Sequence, residues 1–236
     1  LTLTGGITMT RLQHEALAIT AAGGADAVTI TTAGAVTAAA AVETYNVSSG
    51  GSNSVTVNAG NTAVAINGNA ANATTVTIGG QTVTGAYALA NGTDIIVATD
   101  GANIAGVNGG AATTAENLTL TGGITMTAAQ HNAFGTIVAV GPTDSITLTT
   151  VAAAGTTGDA DVETYNIQAA SSFALGALSQ NVTEIQTAQQ NAVSTLVFGS
   201  GAYSGKFAGF GAADVLQVVN GTDISGVTGL DIGVLD

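Results

Sequence analysis

The 236-residue chain carries fifteen Asp and Glu against two Lys and Arg, a net charge of −13, and has no cysteine. Such a surface repels phosphate backbones and anionic lipid faces, and thiolate catalysis and Cys-based zinc sites are excluded. Much of the 46% hydrophobic content is alanine. No run approaches the ~18 apolar residues of a membrane span, so neither nucleic-acid binding nor membrane insertion is expected.

The chain opens with LTLTGGITMT (Leu1 to Thr10), in which aliphatics alternate with threonines around Gly5-Gly6. Period-2 alternation is the signature of half-buried strands, here two strands joined at a glycine turn. Thr10-x-x-Gln13 before His14-Glu15-Ala16-Leu17 is a capping-box pattern and predicts a helix of roughly two or three turns. Alternation resumes at Val28-Thr-Ile-Thr, Val55-Thr-Val-Asn and Val76-Thr-Ile. Gly23-Gly24, Ser48 to Asn53, Asn67 to Asn72, Gly79-Gly80, Asn91 to Asp94 and Asn108 to Gly110 separate these segments as turns.

The decapeptide returns unchanged as Leu118 to Thr127, and the chain behind it repeats as well. His14 meets His131, Asp26 meets Asp144 after a small insertion, and Val42-Glu43-Thr44-Tyr45-Asn46 meets Val162-Glu163-Thr164-Tyr165-Asn166. From there a gap-free alignment runs to the end, with Tyr87 on Phe207, Asp94 on Asp214 and Asn103 to Val107 on Asp223 to Val227. Two repeat units are therefore expected, residues 1–117 and 118–236, with the look of two repeats from a longer array. Gln180 to Val193 reads two ways: Val182, Ile185 and Ala188 fit a helical stripe, whereas the opposing stretch of the first copy reads as loop or strand.

Many short strands, small-residue turns and few aromatics predict an all-β chain with one short helix per repeat. A right-handed parallel β-helix or related β-solenoid fits best, because each coil caps the next and a thin core of Val, Ile, Leu and Ala suffices. Tandem β-sandwiches are the alternative, although a sandwich core ordinarily holds more large aromatics.

No reactive constellation emerges, and an enzyme is not expected. His14-Glu15 lacks the second histidine of a zinc H-E-x-x-H site, and Glu43 and Glu163 supply one carboxylate per copy. The candidate metal ligands are Asp26, Asp94, Asp214 and Asp223, each an Asp behind a glycine- or alanine-rich turn and ahead of a strand. Such turns are similar to a loosened calcium nonapeptide of the G-G-x-G-x-D kind, which makes Ca²⁺ the candidate cofactor. The competing reading is that these Asp side chains cap their own turns. Thr-x-Thr pairs can order water on a flat solenoid face, as in ice binding, but their starts at Thr2, Thr29, Thr56 and Thr75 drift. Six N-x-S/T triplets, at Asn46, Asn72, Asn91, Asn117, Asn181 and Asn220, follow from the Asn/Thr-rich composition.

Glu116 to Asn132 (ENLTLTGGITMTAAQHN), Asp144 to Thr150 (DSITLTT) and the paired VETYN together resemble the tandem repeats of bacterial extracellular β-strand-repeat surface proteins. These are similar in style to S-layer proteins and type-I-secreted RTX-like adhesins. The resemblance covers the whole chain and implies secretion, a bacterial cell-surface location, calcium-assisted folding and a structural or adhesive role. The expected function is a structural unit of an extracellular filament, sheath or S-layer built by head-to-tail self-association, with copies of itself as partner. The alternative is a monomeric adhesin stalk or a segment that binds cell-surface polysaccharide, with ice binding behind both.

Overall fold

The structure is a computed structural model that describes residues 1–236 apart from 49, 112–116, 152–155, 160, 170, 171, 176–181, 183, 188–194, 209–213, 230–233 and 236. The chain is a β-solenoid in which every described strand pair is parallel. Sandwiches are built from antiparallel sheets, so the alternative fold is set aside. Two compact units divide the chain, one of Leu1–Thr119 with Ala133–Thr136, the other of Leu120–Asn132 with Ile137–Asp236.

In the first unit the chain runs through β1 (Thr2–Leu3), β2 (Gly6–Met9), α1 (Arg11–Ala16), β3 (Thr20–Ala21), β4 (Ala27–Ile30) and β5 (Gly34–Thr37). It continues through β6 (Thr44–Val47), β7 (Asn53–Thr56), β8 (Ala65–Asn67), β9 (Thr74–Ile78), β10 (Tyr87–Ala88), β11 (Ile95–Ala98) and β12 (Asn117–Leu120). Successive strands alternate between two walls. One wall has the order β10-β8-β6-β4-β2, the other places β11, β9, β7 and β5 side by side, and β1 pairs with β3. Register sets the core: Ile7, Val28, Tyr45, Ile66 and Tyr87 stack in one row, and Val36, Val55, Val76 and Ile96 in the facing one. Their neighbours point outward as Thr8, Thr29, Asn46 and Asn67, and as Thr37, Thr56 and Thr77. The valine, isoleucine and threonine of the sequence thus separate cleanly onto the two faces of a pleated strand.

The second unit repeats the plan. Its segments are β13 (Gly123–Met126), α2 (Ala128–Ala133), β14 (Thr136–Ala139), β15 (Ser145–Leu148), β16 (Thr156–Thr157), β17 (Thr164–Ile167) and β18 (Ser172–Leu175). They continue as β19 (Glu184–Thr187), β20 (Thr195–Phe198), β21 (Gly201–Ala208), β22 (Val215–Val218), β23 (Thr222–Thr228) and β24 (Val234–Leu235). One wall has the order β13-β15-β17-β19-β21-β23 and the other β16-β18-β20-β22-β24. Ile124, Ile146, Tyr165, Ile185 and Phe207 form one inward row.

Three expectations change. The Gln180 to Val193 region holds strand β19 rather than a helix across Glu184–Thr187, with Ile185 fully buried between Tyr165 and Phe207; residues 188–193 lie outside the described set. The gap-free alignment sets Ile66 opposite Gln186, yet Ile185 holds the equivalent row. A one-residue slip would turn an isoleucine to solvent, so the turns take up the difference. The helices are also shorter than expected, six residues each. The first ends at Leu17 with extended backbone (φ −114°, ψ 132°), and by Thr20 the chain pairs as β3 with β1 (Thr2↔Thr20). Strand pairing there overrides helix propagation.

Close coil spacing also fixes individual residues. A Cβ at Gly85 would run into the carbonyl oxygen of Val64. Asn108 stands in for a strand at the edge of β10: its side chain accepts from Tyr87 N–H (2.8 Å) and donates to Tyr87 C=O (3.3 Å).

Ile66→Ala is expected to lower stability by roughly 2–5 kcal/mol through a cavity between Tyr45 and Tyr87. The outward Thr56→Ala should stay within about 0.5 kcal/mol. Urea unfolding followed by circular dichroism reads both, and comparable losses would contradict the inward register.

Candidate functional site

Two polar constellations recur in both copies, and both are buried. The first is built on the Asp that ends each turn. Asp26 Oδ2 accepts from Gly23 N–H (2.9 Å) and Ala22 N–H (3.1 Å). Asp94 accepts from Asn91 N–H (2.7 Å) and, across to the preceding coil, from Thr74 N–H (2.6 Å). Asp144 does the same with Gly141 N–H and Gly122 N–H, both at 2.6 Å. The backbone of these residues ties forward. Asp26 N–H donates to Glu43 Oε2 (2.8 Å) and Asp144 N–H to Glu163 Oε2 (2.9 Å). The carbonyls of Asp26, Asp94 and Asp144 accept from Thr44, Asn117 and Thr164. Each Asp therefore staples consecutive coils where the ladder would otherwise break. A carboxylate meeting backbone donors makes charge-assisted bonds, about twice as strong as neutral ones.

The second constellation joins the helix to the core. Thr10 caps α1 with a complete capping box, and the six-residue helix turns His14 inward. His14 Nε2 lies 2.9 Å from Tyr45 Oη, with the rings edge-on at 5.6 Å, and the same Oη accepts from Ala39 N–H at 2.7 Å. In the second copy His131 Nε2 lies 3.1 Å from Tyr165 Oη, which accepts from Asp159 N–H at 2.7 Å. Each Oη thus joins a turn amide to a helix imidazole. His131 Nδ1 lies 3.4 Å from Asn132 Oδ1, and Asn132 Nδ2 donates to Thr156 Oγ1. Burial pushes both histidines below their usual pKa, against Glu15 at His14 and against Asn132 and Asp159 at His131. Burial likewise raises the phenols of Tyr45 and Tyr165. The buried imidazole–phenol pair ties the short helix to the core in each copy.

The four candidate metal ligands do not converge. Asp26 and Asp94 sit in separate turns with the backbone donors just described, Asp214 is 1% exposed, and Asp223 lies on the surface of β23. Bonds from the Ser225 backbone and side chain hold the Asp223 carboxyl below the usual range. Among the described residues no three of His, Cys, Asp and Glu come together to hold a metal ion. Asp144, Glu43 and Glu163 belong to the staple but were not candidates. Asp144 could have been found from its alignment with Asp26, and the Glu residues from their recurrence in VETYN.

Beside His14 a cleft of about 470 Å³ opens between the end of α1 and strands β5 and β7. Its one carboxylate, Glu15, is paired with Arg11 at 2.7 Å. Outside, Ser54-x-Thr56 and Thr75-x-Thr77 stand in register on one wall, but the next coil presents Ile95 and Val97. Thr29 belongs to the other wall, which accounts for the drift seen in the sequence. Comparison with protein-family models, curated proteins and solved structures gives no match.

Two outcomes are expected. Between pH 6.5 and the lower native pKa of His14 and His131, the unfolded chain binds more protons than the folded one. Stability is therefore full above pH 6.5 and declines as the pH falls through that window; thermal melts should show the decline, and a His14→Phe/His131→Phe double variant should flatten it. Asp144→Ala should cost about 1–3 kcal/mol for each amide left buried without an acceptor, read by chemical denaturation.

Proposed function

We propose that the protein is a structural repeat unit of an extracellular assembly, built by stacking β-solenoid coils head to tail. The observation that carries this reading is that the repeated motif restarts, at Leu118, on a strand stacked within the first unit. The first strand of the second copy begins directly beside the last wall strand of the first: Asn117 N–H donates to Asp94 C=O at 3.2 Å, and the Asn117 side chain donates to the same oxygen. Leu118 and Ile96, on these neighbouring strands, are both fully buried. β12 joins β11 by the same stacking that joins the strands before it, so a further repeat needs no new kind of contact. The large aromatics also favour assembly over sugar binding. Tyr45, Tyr87, Tyr165, Phe173, Phe198 and Phe207 all lie inside, leaving none of them to stack on a saccharide. An extracellular setting is supported by composition, with no cysteine and fifteen carboxylates against two strong cations.

Negative-stain electron microscopy of the purified protein, with calcium and after chelation, tests the reading. Ordered fibres or lattices are expected, and their dispersal on chelation would add calcium to the assembly. Monodisperse particles in both conditions would overturn self-assembly and favour an adhesin segment.

A further inference from the structure

Four Asn-Gly steps occur in the chain, at Asn67, Asn91, Asn108 and Asn220. In such a step the backbone nitrogen of the glycine, whose own residue has no side chain to shield it, can attack the amide carbon of the asparagine. Whether it does so depends on how firmly the fold holds the two groups apart.

Three of the steps are held. Gly68 N–H is spent on Ala88 C=O (2.9 Å), and Asn67 Nδ2 donates to Asn46 Oδ1 (2.7 Å). Gly109 N–H donates to Gly106 C=O (3.1 Å), and both ends of the Asn108 amide are bound to the Tyr87 backbone. Asn91 Oδ1 accepts from the N–H (2.9 Å) and the hydroxyl (2.6 Å) of Thr93, and Asn91 Nδ2 donates to Ala70 C=O (3.1 Å).

Asn220 is different. It and Gly221 are exposed at the corner after β22, and neither the Asn220 side chain nor Gly221 N–H has a hydrogen-bond partner among the described residues. The corner is a turn closed by Thr222 N–H on Val219 C=O (3.2 Å), with Gly221 at φ +84°. Gly221 N–H, at the third position, lies outside that closing bond. β22 is paired on both sides, with β20 and β24, so the corner is exposed because it faces outward from the coil. The aligned corner of the first unit, Asp100-Gly101, is exposed as well, with Gly101 at φ +80°.

Local sequence does not distinguish Asn91 from Asn220, because each opens the same five residues, Asn-Gly-Thr-Asp-Ile. In the first, Asp94 is buried and receives Asn91 N–H (2.7 Å); in the second, Asp223 lies exposed on β23.

We propose that Asn220 is a modification site, where the chain deamidates spontaneously through a cyclic imide with water as the co-reactant. The Gly221 nitrogen bonds to Asn220 Cγ and the Cγ–Nδ2 bond breaks. The proton of the glycine nitrogen departs with the amide group as ammonia. Water then opens the ring at either carbonyl, giving aspartate or isoaspartate. Both products add negative charge to a chain already at −13. Isoaspartate also threads an extra methylene into the main chain beside Gly221 C=O, which accepts from Gly201 N–H at 3.0 Å.

Incubation of the whole folded chain in mildly alkaline heavy-oxygen water, followed by peptide mapping with mass spectrometry, tests the site. The Asn220 peptide should take up the label and become a substrate for an isoaspartyl methyltransferase. The Asn91 peptide should lag about tenfold or more, since its amide must first give up three hydrogen bonds. In denaturant the two peptides should convert at similar rates. Asn220→Gln, which would need a larger ring, should abolish labelling at this corner and the acidic species it produces on ion exchange; circular dichroism checks that the variant folds. Equal conversion of Asn91 and Asn220 in the folded chain would overturn the proposal. So would an Asn220 peptide that converts in denaturant but stays unlabelled in the folded chain.

Discussion

Everything in this molecule depends on the parallel pairing of coils whose inward residues stay in register. Parallel strands are bonded on both edges and leave little tolerance for a slip, because one residue of shift exchanges core for solvent. Ile7, Val28, Tyr45, Ile66 and Tyr87 share a row although the intervals between them differ. The turns absorb the variation in length, and the Asp residues make that workable. By accepting amides within their own turn and from the preceding coil, Asp94 and Asp144 satisfy backbone groups that irregular turns would otherwise bury unpaired.

The thin core explains why the remaining buried polar groups are shared so economically. Tyr45 and Tyr165 are too large for a coil of valine and alanine unless their hydroxyls find partners inside. Each takes one from a turn amide and one from a histidine carried in by the short helix. The helix is thus a plug that brings a hydrogen-bond partner to the phenol, and it stops once His14 and His131 are seated. Its six residues would be marginal alone.

Much of the architecture was legible in the residues. Alternating Val-Thr and Ile-Thr pairs foretold which side chains point inward, the recurrence of LTLTGGITMT foretold that a strand–helix opening returns as β12, β13 and α2, and Thr10 with Gln13 foretold the cap. What escaped were matters of three-dimensional neighbourhood. That Thr29 and Thr56 lie on different walls follows from how many residues each turn consumes, which composition does not reveal. That Asp26, Asp94 and Asp144 accept backbone amides depends on which backbone lies beside each carboxylate in its own turn and, for Asp94 and Asp144, one coil away. His14 and His131 read as helix residues because the tyrosines they meet are 31 and 34 positions distant. The Gln180 to Val193 ambiguity had the same origin, since Ile185 is claimed by the row between Tyr165 and Phe207.

The partners in each core row lie only about 20 residues apart in sequence. Contacts so local mean that a newly made coil needs nothing but the one before it, so the chain can acquire structure by accretion, in the order in which it is made or leaves a narrow passage. The slow event is then the first coil, which must form without a template. Every later coil inherits one, and a chain of many such repeats would mature at a rate set by delivery rather than by its length.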